Sequence, residues 1–382
     1  MSVQRLIRTA QSNASDARQA VQEFYAGVQQ PDMSLVVFFC SSRYDLDVLA
    51  AELNQLFTGV DVVGCTTAGE IGPNGYCDDS LSGASFPADS VVAVTRRFDE
   101  LQQFDIAKGQ AFVSTLLQEM EVTAPNSGAK DCFAFLLIDG LSVREEPVVR
   151  TFQNALGQIP LIGGSAGDDL EFVRTWVFHN GAFHTDSAVL VLGSTSFPFK
   201  PFKTQHFVSD AERLVVTEAD STRRIVKEIN GMPAAEEYAR VIGSTVADLS
   251  SLRFANSPVV VVIDGTDYVR AIQKANPDGS LTFFCAIDEG LVLRVAHGEN
   301  LVGNLNQTFA TLREQIGPPQ AVLACDCILR NLEIKQDDLK GSVGEIFRRN
   351  NAVGFSTYGE QFGGVHVNQT LTGIAFGSPK GG

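Results

Sequence analysis

The chain has 382 residues, 44% hydrophobic and 19% charged, a composition that excludes a disordered chain, a fibre and a small disulfide scaffold. Lys plus Arg number 29 and Asp plus Glu 45, for a net charge of −16. That balance argues against broad contact with nucleic acid and against an anionic membrane surface.

At roughly 150 residues per domain, two domains are expected. Residues 1–9 carry Arg5 and Arg8 but no apolar segment, so no secretory signal is expected. The longest apolar runs fall far short of the ~20 residues of a membrane helix. Seven cysteines without a C-x-x-C read as reduced thiols, several of them within apolar runs. The expected compartment is the cytoplasm.

Residues 14–28 predict an amphipathic helix, with Ala17, Ala20, Val21, Phe24 and Val28 on one face. Residues 34–41 (SLVVFFCS) predict a buried strand, and Asp45 caps a helix that carries Leu46, Leu49, Leu53 and Leu56. A glycine loop follows at residues 62–71 (VVGCTTAGEI). The same order recurs twice. Residues 132–139 (CFAFLLID) precede a helix with Val148, Val149, Phe152 and Leu156, and then LIGGSAGD at 161–168. Residues 321–329 (AVLACDCIL) precede a short helix at 343–349, and then VGFSTYGEQ at 353–361. Cys40 to Gly64 and Asp139 to Gly163 each span 24 residues. Each loop leads into an alternating strand, at residues 75–86, 181–192 and 364–376. Aligning Leu81 with Val189 and Leu371 and counting back equates Tyr76, His184 and His366. Such units predict an α/β fold with mixed sheets built from repeated strand–helix–strand–hairpin units, in two interlocked halves.

Between the second and third units, residues 197–201 (FPFKP) are expected to break regular structure. Ile225, Val226 and Ile229 predict a helix stopped by Asn230-Gly231, and Pro233 opens the next helix. Residues 258–295 predict a meander with a hairpin turn at 276–279.

Three motifs together carry a resemblance: VGCTTAGEI with SLSGASF at 80–86, residues 213–243, and VGFSTYGEQ with NQTL at 368–371. They resemble the FIST domain family over about residues 30 to 377. The resemblance divides the chain into an N-terminal helix region (1–30), a FIST N-terminal domain (31–212), a FIST C-terminal domain (213–377) and a tail (378–382). It implies a sensory module of signal transduction and not an enzyme. The NosP-type branch of the family binds haem, senses nitric oxide and acts on histidine kinases or cyclic-di-GMP enzymes. A chain without an attached kinase would need a separate histidine kinase as partner. Self-association as a homodimer is left open.

With no C-x-x-C-H, haem b would be held without a covalent bond. His184 is the first candidate for the haem iron and His366 the alternative, since both stand beside the glycine loops in apolar company. Gly64, Cys65, Thr66, Thr67, Gly69 and Glu70 form a candidate pocket loop, with hydroxyls, a thiol and a carboxylate suited to an ammonium group. Glu360 and Asp168 are expected to match Glu70 in the other two units. Without haem, the same loops would serve a small organic ligand such as an amino acid. A nucleophilic Cys65 or Ser165 is the enzyme reading.

Overall fold

The computed structural model describes residues 6–263 and 266–378. Three copies of one unit make up most of it. The first runs from an edge strand Arg8–Ser12 through helix Ala17–Val28, inner strand Met33–Ser41, helix Leu46–Leu56 and inner strand Asp61–Thr67. A short hairpin (Glu70–Gly72, Gly75–Cys77) and a return strand Leu81–Pro87 complete it. The second repeats that order, from the edge strand Val91–Phe98 to the return strand Ala188–Thr195. The third begins with edge strand Phe199–Thr204, resumes at helix Leu301–Ile316 and ends with return strand Leu371–Gly377. Asp16, Asp45, Asp105 and Asn300 start four of the helices by accepting an amide three residues on.

The two inner strands of each unit are parallel, and the return strand lies antiparallel beside the first of them. The hairpins do not stay at home. The first unit's hairpin pairs with the third unit's strand Ala352–Thr357, the third's with Leu161–Ser165, and the second's with Asp61–Thr67. Each sheet is therefore completed by another unit in a closed three-way exchange. The N- and C-terminal halves are interlocked by backbone hydrogen bonds, as expected.

The inner faces of the three sheets meet in one core, which includes Phe39, Phe135, Phe355 and Phe376. Phe39 stacks on Phe355 with centroids 4.7 Å apart. The outer faces are covered by each unit's own helices, through Phe24 and Leu53, Val113 and Phe152, and Phe309 and Phe347. The inner strands are thus covered on both faces, which is why they read as continuous apolar runs. No helix among the described residues is long and apolar enough to cross a membrane.

Residues 205–300 form a separate nine-stranded sheet with its own core around Tyr238, Phe254 and Leu293. Two expectations fail here. Ile225–Ile229 is a strand, and Asn230 and Gly231, with φ of 52° and 75°, turn it back onto Met232–Pro233. A short apolar run does not separate helix from strand by period, and Asn-Gly is a hairpin signal. The meander is interrupted, because Val292–Gly298 returns to pair with Val259–Ile263 and with Leu214–Asp220. The hairpin turn at Asn276 is present, with its amide donating to the Ser280 carbonyl. Residues 197–201 also differ from expectation. Phe199–Thr204 is a regular strand, and Pro201 is tolerated because it lies on a sheet edge.

Candidate functional site

The glycine loops come first, because the sequence points to them. Gly64 faces Phe38, Gly163 faces Leu136 and Gly354 faces Ala324, equivalent places on three parallel strand pairs. A Cβ on Gly354 would stand 1.8 Å from the Ala324 carbonyl oxygen, so only glycine fits there. Past the glycines the loops bond to one another. The Ala68 amide donates to Ser356, Ser356 to Gly69, Ser165 to Gly359 and Gly167 to Thr66. Gly64, Cys65, Thr66, Thr67, Gly69 and Glu70 are all buried in this junction. Burial pushes the Cys65 thiol well above its usual range, and Ser165 is equally enclosed.

Glu70 is committed to the fold. Its carboxylate accepts from the Thr67 hydroxyl, and from the Ser80 amide at 2.9 Å and hydroxyl at 2.7 Å. Burial nevertheless pushes it up to about 8. Glu360 is its equivalent, as expected, but Asp168 is not: the place in the second unit is Val177. Asp168 instead accepts from the amides of Phe172, Val173 and Arg174 at 3.0, 2.8 and 2.7 Å, and from the Tyr358 hydroxyl.

The matched set Tyr76, His184 and His366 also needs correction. Hairpin register pairs Ile71 with Tyr76, Phe178 with Phe183 and Gln361 with His366. The return strands agree, since Leu81, Ala188 and Leu371 hold equivalent places. Phe183, not His184, is the counterpart of Tyr76 and His366. A one-residue slip moves a side chain to the other face of the sheet. The two histidines therefore live in different surroundings. His366 is buried on the helix side, its Nε2 3.3 Å from the Phe284 carbonyl oxygen. His184 is half-buried, its Nε2 in contact with the Arg97 guanidinium and 3.3 Å from the His179 carbonyl oxygen.

The second unit breaks the threefold pattern beside His184. Two residues join inner strand to hairpin in the other units, whereas here residues 166–176 do so. Asp168 and the stacking of Phe172 on Tyr358, at 4.6 Å, hold this link in place. It ends at Trp176, whose amide donates to the Thr66 hydroxyl at 3.0 Å. Arg174 lies over the Trp176 ring, 5.3 Å from its centroid. Two concavities flank the pair. One of about 600 Å³ reaches Asp45, Asp47 and Asn54; one of about 350 Å³ reaches Asp99, His184 and Asp186. They share Arg174, Trp176 and Phe183, so they form one groove. Burial, and then Arg97, lower the His184 pKa, leaving the ring neutral at pH 7. Arg97 in turn holds Asp99 below the usual carboxylate range, with 3.0 Å between Nη2 and Oδ2.

The comparisons with known proteins fit this architecture. The FIST N domain model matches residues 34–232 and the FIST C domain model residues 234–363. The chain belongs to the FIST family. FIST domains are sensory domains of signal transduction that bind small ligands. No curated protein matches the chain by sequence. A solved structure described as "Cyanuric acid hydrolase: evolutionary innovation by structural concatenation" has a TM-score of 0.36 and 10% identity. It covers 97% of this chain and 100% of its own, a likeness too faint to bear on the site.

The structure thus places the predicted loop residues in a FIST-domain junction and brings His184 to a concave surface. Phe183 is the apolar neighbour expected beside His184, whereas Arg97, Arg174 and Trp176 were not expected there. The signal available was the lone tryptophan and the long link from the second glycine loop to its hairpin. Among the described residues, no three His, Cys, Asp or Glu side chains gather around a metal-sized space.

Proposed function

We propose that this FIST protein senses nitric oxide through haem b held non-covalently in the groove around Trp176, and that it reports to a separate histidine kinase. One observation supports the groove as the place: a neutral imidazole, two aromatic faces and two guanidinium groups meet there. His184 would bind the iron. Trp176 and Phe183 would pack on the macrocycle, and Arg97 and Arg174 would pair with its propionates. Bound there, haem would supply an iron that takes nitric oxide. Arg97 would have to leave the His184 nitrogen. His366 suits the role less well, because its ring is buried and its Nε2 lies against the Phe284 carbonyl oxygen at 3.3 Å.

A second reading has its own support. Asp45, Asp47, Asp99 and Asp186 rim the groove beside Arg174, so both charges of a small organic ligand such as an amino acid would find partners without haem.

Trp176 is the single tryptophan, so its emission reports the groove alone. The test is titration of the full chain with haem b, followed by absorption and by Trp176 emission, before and after anaerobic nitric oxide. The haem reading expects a Soret band that shifts with nitric oxide, quenched emission, and loss of both in His184→Ala but not in His366→Ala. A flat spectrum overturns it. A change in emission on adding an amino acid would then favour the second reading.

A further inference from the structure

The three hairpins have equivalent second strands, and their outer edges meet different surroundings. Register places Tyr76, Phe183 and His366 at the same point, one residue past the pair that closes the turn. In a two-residue hairpin that closing pair exchanges both of its hydrogen bonds, so the next residue turns its amide and carbonyl away from the partner strand. In the first unit this backbone is covered: a Cβ on Gly344, in helix Lys340–Arg349, would stand 3.3 Å from the Tyr76 nitrogen. In the third unit the His366 carbonyl accepts from Arg270 Nη1 of the inserted sheet at 3.4 Å. In the second unit Ala182–His184 is the last strand of its sheet, and no strand of the described residues pairs with its outer edge.

That edge borders the groove. Helix Leu46–Leu56 forms the opposite wall of the larger part, with Asp47, Ala50, Ala51 and Asn54. Their spacing of three, four and seven residues puts them on one helix face. Asn54 Nδ2 donates to the Gly181 carbonyl at 2.9 Å and ties the turn to the helix. Ala50 and Ala51 reach out with single methyl groups, and a gap of about 600 Å³ separates them from Gly181, Ala182 and Phe183. Beyond the Arg97–Asp99 pair, the walls carry Asp45, Asp47, Glu100 and Asp186 against Arg174, an excess of negative charge. Open strand edges invite pairing with another chain, and folded proteins cover or blunt them. Two of the three equivalent edges are covered, and the open one lies in the groove.

We propose that an extended segment of a partner protein, carrying basic side chains, adds to the edge of Ala182–His184 as a further strand. Its backbone would pair with the Phe183 amide and carbonyl. An apolar side chain would lie against Ala50 and Ala51, and basic side chains would meet Asp47 and Asp186. The groove between a strand edge and a helix suits a peptide, because only another backbone offers a donor and an acceptor in the spacing the edge requires. The docking names how a partner engages this groove. It rests on the reading of the groove as the signalling site and not on haem.

The test uses the full chain without haem, so that it succeeds or fails separately from the haem titration. The probe is the acetylated and amidated peptide Lys-Val-Lys-Val-Lys-Val-Lys. It should change Trp176 emission saturably and slow amide hydrogen exchange at residues 182–185 by about tenfold or more. The matching peptide with Glu for Lys, and the lysine peptide N-methylated throughout, should do neither. Asp47→Lys, on the exposed side of its helix, should weaken the lysine peptide about tenfold. The proposal is overturned if the lysine peptide does not bind, if the glutamate or N-methylated peptide binds equally well, if exchange at 182–185 stays as it was, or if Asp47→Lys changes nothing.

Discussion

Glu360 does in the third unit what Glu70 does in the first. Each buried carboxylate accepts from the amide and the hydroxyl of the residue ten positions on, Thr370 at 3.1 and 2.7 Å and Ser80 at 2.9 and 2.7 Å. Each belongs to a hairpin lent to another unit's sheet, and ties that hairpin back to its own return strand. The carboxylate is thus a fastening for the exchange, not a free ligand group.

Its burial has a consequence for pH. The folded pKa of Glu70, about 8, lies above its ordinary value of 4.5. The folded chain therefore holds this proton where the unfolded chain has lost it. Its contribution to stability is full below pH 4.5 and is lost as pH rises to about 8. Glu70→Gln cannot titrate. Comparing urea unfolding of the two chains across that window should show the variant losing less stability with rising pH, by up to about 1.4 kcal/mol per pH unit. Parallel curves would contradict the shift.

Arg224 anchors the inserted sheet to the second unit. Its Nη2 lies 2.6 Å from Glu145 and 2.5 Å from Glu146, and the Glu146 carboxylate also accepts from the Ala286 amide at 2.8 Å. Arg224→Ala leaves two carboxylates without their cation, Glu145 nearly fully buried. A loss of about 3 to 5 kcal/mol is expected by denaturant titration. The triple change that also makes Glu145→Ala and Glu146→Ala should recover a good part of it.

Glycine substitutions separate crowding from helix propensity. Gly354→Ala forces a Cβ onto the Ala324 carbonyl and should cost about 3 kcal/mol or more. Gly341, in helix Lys340–Arg349, has nothing within 4 Å of its would-be Cβ. Gly341→Ala should stabilise by about 0.5 kcal/mol. Two Tm measurements check both signs.

Tyr358 links the third glycine loop to the second unit through Asp168 and Asp169. Tyr358→Phe keeps the stacking on Phe172 and removes every contact of the hydroxyl, which meets the Asp168 carboxylate and the Asp169 carbonyl and accepts from the Asp168 amide. A loss of about 1 to 3 kcal/mol is expected. Because Asp168 holds the link that ends at Trp176, the emission of Trp176 should also broaden or shift. Unchanged emission would show that the link is held without Tyr358.

Much of the fold was legible in the chain. Leu35, Val37 and Phe39, and their counterparts after residues 132 and 321, mark buried inner strands, and the three glycine loops mark where those strands crowd together. Composition and repeat were sufficient because every unit buries the same faces in the same order. The exchange of hairpins was not legible, since Glu70, Val177 and Glu360 find their partners in distant units through backbone bonds that no side chain specifies. His184 looked equivalent to His366 because alignment by residue type tolerates a slip of one, whereas strand register does not. Only the packed structure turned Glu70 inward as a fastening, left His184 beside Arg97 and Trp176, and set the inserted sheet against the His366 carbonyl. Those outcomes depend on which surfaces meet, and one-dimensional spacing carries no information about that.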